Sequence, residues 1–137
     1  MVHAEDRRGR SVREVEAIAG DDREVITIKR VYEAPAAADG TRVLIMRLWP
    51  RGIRKSHVDI WLKELGPVLP LMRAFRSGRI GWVAYRRRYR HGLARPEAQA
   101  HLAAVRAYAK SGRVTLLCGC PDETRCHRSL LRDYLLD

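Results

Sequence analysis

Short continuous apolar runs alternate along this chain with longer stretches in which apolar residues recur at helical spacing. Residues 24–32 are rich in β-branched side chains and predict a strand. Residues 42–46 and 113–118 are continuous apolar runs, which is typical of strands that are buried on both faces. The pattern therefore predicts three strands, two of them before the central helical region and one after it.

The helical pattern fills the region between the second and third strands and then closes the chain. It predicts helices over residues 58–65, 68–75 and 79–93, then one that begins at Pro96 and ends near Gly112. A final helix is predicted over residues 126–136. On the helix over 79–93, the residues spaced as an inward face are Ile80, Val83, Ala84, Arg87 and Tyr89.

The order of these elements predicts the fold class. Two continuous apolar strands separated by helices favour parallel pairing through a crossover connection. We therefore expect an α/β fold with a small, mainly parallel sheet flanked by helices, in a single compact domain over residues 23–137. Residues 1–22 are charged and poor in apolar side chains, so they predict a flexible tail. In such sheets ligands bind beyond the carboxyl ends of the strands.

Charge and composition narrow the class of protein only a little. The chain has 137 residues and a formal net charge of +11, which invites a nucleic-acid partner. However, 23 of its 27 basic residues are arginines and its aromatic residues are few, so the positive charge is a weak indicator of nucleic-acid binding. The sequence contains no apolar stretch long enough for a membrane helix and does not open like a signal peptide. We expect a cytoplasmic protein without a membrane partner.

The first candidate segment, residues 47–55, directly follows the second predicted strand. It places Arg47 and Arg51 around Trp49. Guanidinium groups bind phosphate and carboxylate in a bidentate way, and an indole ring can stack on a flat ligand. The alternative is that Trp49 fills the core while the arginines are solvated.

The second candidate segment, residues 118–129, directly follows the last predicted strand and contains all three cysteines. Three interpretations stay open. In the first, the start of the final helix binds an anion, His127 and Arg128 add donors, and Cys126 is an activated thiol. In the second, Cys118, Cys120, Cys126 and His127 bind zinc, although their spacing is unusual for such a site. In the third, the cysteines are small buried packing residues.

These segments carry a family resemblance. The string Val-Leu-Ile-Met-Arg-Leu-Trp-Pro-Arg-Gly over residues 43–52, with Trp-Leu-Lys-Glu-Leu over 61–65, resembles the YeaO-like family, domain of unknown function 488. The later Cys126-His127-Arg128 string resembles one branch of that family. The resemblance implies a compact α/β fold with a small parallel sheet and does not supply a reaction. Met46 and Cys120 stand where relatives often carry acidic residues, which favours anion binding over acid–base chemistry.

The sequence hypothesis is a pocket, formed by the two segments, that binds and could turn over a small anionic, phosphate-bearing ligand such as a nucleotide. No metal and no cofactor is assigned. The alternatives are a non-enzymatic nucleic-acid-binding module that uses the basic run over residues 86–90, and a zinc or thiol redox protein that uses Cys118, Cys120 and Cys126. The candidate catalytic residues are Cys126 and His127, and the candidate ligand-binding residues are Arg47, Trp49, Arg51, Cys118 and Arg128.

Overall fold

Four parallel strands form the centre of the structure, a computed structural model that describes residues 25–137. The predicted tail, residues 1–22, lies outside the described residues. The strands are ordered β1-β4-β2-β3 across the sheet, and all three pairings are parallel, as expected for an α/β fold. Their bounds are β1 Ile26–Arg30, β2 Thr41–Leu44, β3 Ile60–Trp61 and β4 Val114–Cys118.

Four helices complete the fold, and each matches a predicted one. Their bounds are α1 Leu69–Arg76, α2 Trp82–Gly92, α3 Pro96–Ser111 and α4 His127–Leu136. Helix α3 begins at Pro96 because the fixed φ of proline suits the first helical position, where no amide donor is needed. Within the part of the chain that the structure describes, no helix has the length and apolar character needed to cross a membrane.

The helix predicted over residues 58–65 is wrong. The chain there forms β3, Ile60–Trp61, followed by a single 3₁₀ turn, Lys63–Leu65. The backbone amide of Asp59 donates to the carbonyl of Arg42 at 2.9 Å, and that of Leu62 donates to the carbonyl of Leu44 at 2.9 Å. An eight-residue helix gains few internal hydrogen bonds, so the open edge of β2 wins.

The two faces of the sheet are covered differently. The main core contains residues from every helix and from alternate strand positions, among them Val43, Leu116 and Cys118. Among residues 25–137, the opposite face carries a small cluster of Val31, Leu44 and Leu117, which is covered by side chains of the loop after β2. The carboxyl end of the sheet is therefore bordered by helices on one face and by a loop on the other.

The inward face of α2 differs from the predicted one. Tyr85 and Tyr89 are buried, whereas Val83 is 62% exposed. The ring of Tyr85 stacks on that of Phe75 with centroids 4.4 Å apart. Two tyrosines four residues apart bury more apolar surface than the valine face would, so aromatic packing decides the rotation of the helix.

Candidate functional site

The carboxyl ends of β1, β2 and β4 meet around Cys118, the last residue of β4. The backbone amide of Val31, after β1, donates to the carbonyl of Cys118 at 2.8 Å. On the other side, the amide of Ile45, after β2, donates to the carbonyl of Leu117 at 3.0 Å. The segment that follows Cys118 therefore leaves the sheet between its two neighbouring strands, at the edge where such folds bind ligands.

Three cysteine sulfurs and an imidazole converge at this point. The Sγ atoms of Cys118 and Cys126 lie 2.8 Å apart, and both side chains are buried. With one ring nitrogen of His127 and the sulfur of half-buried Cys120, these atoms all lie within 4.8 Å of one another. We call Cys118, Cys120, Cys126, His127 and Arg128 the thiol cluster.

A tight polar turn returns the chain from β4 to α4 and so brings Cys126 back to Cys118. Asp122 begins this turn, and its Oδ1 accepts hydrogen bonds from the backbone amide of Thr124 at 3.0 Å and from the Thr124 hydroxyl at 2.6 Å. The short aspartate side chain satisfies a backbone donor that a turn otherwise leaves unpaired. Cys126 follows as the residue that precedes α4.

A hydrogen bond to a backbone carbonyl defines the tautomer of His127. Its Nε2 bonds the carbonyl oxygen of Ile45. Because a carbonyl only accepts, Nε2 carries the hydrogen and the lone pair is on Nδ1, which lies 3.8 Å from the sulfur of Cys126. Burial lowers the pKa of His127, so the ring is neutral at physiological pH.

Arg128 brings a permanent positive charge into the cluster. Its Nη1 donates to the Cys118 sulfur at 3.1 Å and to the carbonyl of Cys120 at 2.7 Å, and it lies 3.5 Å from the Cys126 sulfur. The side chain is buried, and among residues 25–137 no carboxylate forms an ion pair with it. A guanidinium does not deprotonate in proteins, so its buried charge requires an anionic partner.

The pKa values of the three cysteines are shifted in different directions. Hydrogen bonds with Cys120 and Cys126 and the positive charge of Arg128 lower the pKa of Cys118, against the opposing effect of burial. Hydrogen bonding to Cys118 raises the pKa of Cys120 to about 11 and raises the pKa of Cys126 as well. Cys118 is therefore the cysteine of this cluster whose surroundings favour the thiolate form.

The same atoms form a donor set that could hold a metal ion. Three thiolates and one imidazole are a common ligand set for structural zinc. Arg128, however, already places a positive charge beside the sulfurs of Cys118 and Cys126. The donor set of the described residues therefore suits a structural zinc ion as well as a thiolate–guanidinium pair.

The candidate residues of the first segment lie outside this cluster. The Nε of Arg47 donates to the carbonyl of Gly66 at 3.1 Å, and its side chain lines a cleft beside α2. Trp49 packs on the opposite face of the sheet, where its Nε1 donates to the carbonyl of Ile53 at 2.9 Å. Arg51 is exposed, and its carbonyl accepts from the hydroxyl of Tyr32 at 3.3 Å.

The structure thus brings together four of the seven candidates, Cys118, Cys126, His127 and Arg128, and leaves Arg47, Trp49 and Arg51 apart from them. The two segments still meet at the edge of the sheet. A methyl group placed on Gly119 would touch the side chains of Met46 and Tyr32 at 3.5 Å, so these two side chains lie over the start of the second segment.

Several groups at the site were not found from the sequence. The ring of Tyr89 lies 5.6 Å from that of His127 in an edge-on arrangement, and Arg30 donates to the carbonyl of Gly119 at 3.1 Å. The spacing of Tyr85 and Tyr89 was a usable signal for the tyrosines, since residues four apart share a helix face. The role of the Ile45 carbonyl could not be found from the sequence, because every residue has a backbone carbonyl and the residue type does not show what it binds.

Comparisons with known proteins show which sequences this chain is similar to. The family model described as the active DUF488-N3 subclade, DUF488-N3a, matches residues 26–137. The uncharacterized protein YeaO of Escherichia coli is 37% identical over 113 residues, which cover 80% of this chain and 96% of YeaO. The uncharacterized protein Rv3073c of Mycobacterium tuberculosis is 31% identical over 112 residues, which cover 80% of this chain and 92% of that protein. No solved structure matches the chain at a significant level.

Proposed function

The chain belongs to the DUF488 family of YeaO-like proteins, and from that premise we propose that it binds and turns over a small anionic, phosphate-bearing ligand, such as a nucleotide, with Cys118 as its reactive thiolate. The reaction takes place at the carboxyl edge of the sheet, and the residues around Cys118 keep its sulfur charged.

The observation that carries this proposal is the contact between Arg128 and Cys118. A buried guanidinium 3.1 Å from a buried sulfur, with no carboxylate paired to it among residues 25–137, favours the thiolate form. The thiolate, not the thiol, is the nucleophile of cysteine chemistry. A cysteine that only fills space in the core needs no such partner.

Cys126 and His127 are proposed to support the thiolate. Cys126, whose pKa is raised, stays protonated and donates its S–H to the sulfur of Cys118. The Nδ1 lone pair of His127 faces Cys126 and can accept its proton when a ligand changes the charge on Cys118. A reducing compartment such as the cytoplasm would keep all three cysteines in this state.

Cys118 is fully buried, so a ligand reaches its sulfur only if neighbouring residues move. The turn from Pro121 to Arg125 joins β4 to α4 and is exposed throughout, and we propose that it is the part that moves. A ligand that enters there would meet the sulfur of Cys118 and the positive charge of Arg128 together. An anionic ligand suits this pair, because Arg128 compensates its charge.

Two further observations support an anionic ligand and turnover. Arg30 and Arg128 both reach the loop after β4, where they donate to the carbonyls of Gly119 and Cys120, so two positive charges lie beside this loop. The family model that matches is described as the active subclade, which favours turnover.

The thiolate is tested by its ultraviolet absorbance, which reports the charged sulfur whether or not reagents reach it. We expect one thiolate per chain at neutral pH in the wild-type protein. It should be absent in Cys118→Ser and retained in Cys120→Ser, the matched control. If absorbance appears only near the ordinary cysteine pKa of about 8.5, the proposal is wrong.

Metal analysis of protein purified without chelators distinguishes the thiolate proposal from the zinc alternative. We expect less than stoichiometric zinc. Zinc that is bound at one ion per chain, and that is lost in Cys120→Ser, would mean that the cluster is a structural metal centre. That result would contradict the thiolate proposal.

A nucleic-acid-binding module remains the second candidate, since Arg86, Arg87 and Arg88 are all exposed on α2. Fluorescence titrations with duplex and single-stranded DNA across a salt series distinguish it. Binding through this run should weaken steeply with salt as counterions are released and should be unaffected by Arg128→Ala. Nucleotide binding that is weakened by Arg128→Ala, with little affinity for DNA, supports the small-ligand proposal.

A further inference from the structure

A shallow cleft, open to solvent on one side, lies beside Tyr89, which separates it from the thiol cluster. Its walls come from five places in the chain. They are Arg47 after β2, the turn from Glu64 to Val68, Leu71 of α1, the C-terminal half of α2 with Leu93, and the residue before α3. The space inside it that a water-sized sphere can occupy is about 40 Å³, so it has room for a single small group and does not enclose a whole ligand.

Three arginines and one acidic residue, Glu64, line this cleft. The arginines are Arg47, Arg88 and Arg95, and the last two are exposed. Arg47 donates only to the carbonyls of Gly66 and Glu64, which carry no charge. Among residues 25–137, neither Arg88 nor Arg95 forms an ion pair. The carboxylate of Glu64 is held instead by His101, whose Nε2 lies 3.0 Å away.

The position of Arg47 is built into the fold. A methyl group on Gly66 would lie 2.7 Å from the backbone nitrogen of Arg47, so only glycine allows the two chain segments to approach this closely. The carbonyl of Gly66 then accepts from Nε of Arg47 at 3.1 Å. One guanidinium is therefore held in place by the backbone before any ligand arrives, which lowers the entropy cost of binding.

From these contacts we infer that the cleft is a phosphate-binding site in which Arg47, Arg88 and Arg95 together bind the phosphate group of a small phosphate ester. This inference rests on the proposed function for the class of ligand, and it adds two residues, Arg88 and Arg95, to the binding machinery. A phosphate dianion compensates the excess positive charge of the cleft, and guanidinium groups bind its oxygens in a bidentate way.

The floor of the cleft connects it to the thiol cluster. Tyr89 lines the cleft and also contacts His127 edge-on, with ring centroids 5.6 Å apart. Ile45, whose carbonyl accepts from His127, stands two residues before Arg47. A phosphate held in the cleft therefore lies one side-chain layer from the thiolate, on the far side of Tyr89.

The site is tested on the full chain by calorimetric titration with inorganic phosphate, pyrophosphate and a nucleoside monophosphate. Arg88→Ala and Arg95→Ala should each weaken binding about tenfold or more, because each removes a charge-assisted contact. Arg87→Ala removes the same charge from the neighbouring exposed position on α2, outside the cleft, and should change affinity less than twofold. Arg88→Lys should restore part of the affinity.

The three probes distinguish a free phosphate from a phosphate ester. Tighter binding of the nucleoside monophosphate than of inorganic phosphate supports a phosphate ester. Equal losses in Arg87→Ala and Arg88→Ala would mean that only the general positive field attracts anions and would overturn the inference, as would the absence of binding in the wild type.

The outcome is separable from that of the proposed function. If phosphate binding depends on Arg88 while Cys118 titrates as an ordinary thiol, the cleft stands and the thiolate proposal fails. If Cys118 is a thiolate at neutral pH and no phosphate binds, the thiolate proposal stands and the inference about the cleft fails.

Discussion

At the scale of single residues, the positive charge of Arg128 and the charged form of the Cys118 sulfur stabilise each other. The planar guanidinium reaches the sulfur of Cys118 at 3.1 Å and the carbonyl of Cys120 at 2.7 Å from one nitrogen. The sequence identified both residues as candidates. It did not identify which sulfur Arg128 contacts most closely, because that depends on how the helix and the strand pack.

The Cys118 thiolate predicts a pH dependence of stability. Its pKa is lowered in the folded protein, so its contribution is present above the ordinary thiol pKa of about 8.5 and is lost as the pH falls toward the folded value. Below pH 8, the stability advantage of the wild type over Cys118→Ser should shrink by up to about 1.4 kcal/mol per pH unit. Urea unfolding at several pH values measures it, and an advantage that does not change with pH would contradict it.

A second charged group, Asp39, lies on the other side of the sheet. Its carboxylate is buried and binds Lys29 at 3.1 Å and also Arg42. Burial opposes ionisation of this carboxyl, but hydrogen bonds from Ala36, Lys29 and Arg42 outweigh it and lower its pKa. Two cations share a single buried anion.

Asp39→Asn should therefore destabilise the protein by about 3 kcal/mol at neutral pH, since it leaves two cations without their partner. Because the folded pKa is lowered, the wild type loses this contribution as the pH falls below the ordinary aspartate value of about 3.9, and the two proteins should converge there. Thermal melts between neutral and acid pH measure the gap. Asp133→Asn, at an exposed position, is the control, and a similar loss in both variants would argue against the network.

At the scale of elements, the stretch from Ile45 to Arg47 connects the sheet to both candidate sites. Its first carbonyl accepts from His127, and its last side chain lines the cleft. Gly66 packs directly on its backbone. The strand predicted over residues 42–46 is confirmed as β2, although it ends at Leu44, just before this stretch. The helix predicted over residues 58–65 was wrong, because local periodicity does not show that the edge of β2 is free to pair.

Gly66→Ala tests this close approach. Its Cβ would lie 2.7 Å from the nitrogen of Arg47 and 2.9 Å from the carbonyl carbon of Met46, and backbone atoms cannot move aside cheaply. We expect a loss of about 1–3 kcal/mol in unfolding free energy, together with weaker phosphate binding.

Gly92→Ala is the matched control, since Gly92 lines the same cleft, ends α2 and has nothing within 4 Å of its Cβ position. It should be neutral or stabilise the protein by up to about 1 kcal/mol. Denaturant unfolding of both variants, with phosphate titration, measures the contrast. Equal stability of the two variants would contradict the prediction, because it would show that the close packing at Gly66 does not affect the free energy of unfolding.

At the scale of the whole molecule, the helices gather on one face of a four-stranded sheet, and the loop after β2 covers the other. This places the thiol cluster under helices and Trp49 behind the sheet. A net charge of +11 is spread over this small body. Such a charge repels itself in the compact state and attracts anions of every kind.

Salt should therefore stabilise the protein. Screening at about 0.15 M, where the Debye length is about 8 Å, weakens repulsion between exposed arginines. We expect the melting temperature to rise between low salt and this concentration, and to rise further with phosphate than with chloride at equal ionic strength. A melting temperature that falls with added chloride would show that attractive ion pairs outweigh the repulsion.

The sequence by itself determined three of the four strands, four of the helices and the parallel α/β class, and it indicated two candidate segments, because these follow from local periodicity and from side-chain types. Only the tertiary structure decided that Arg128 contacts the sulfur of Cys118, that Trp49 lies behind the sheet, and that Arg88 and Arg95 join Arg47 in one cleft. The pKa of a cysteine and the lining of a cleft depend on which distant residues come within a few ångströms. The packing of helices on the sheet sets those distances, and no single segment encodes them.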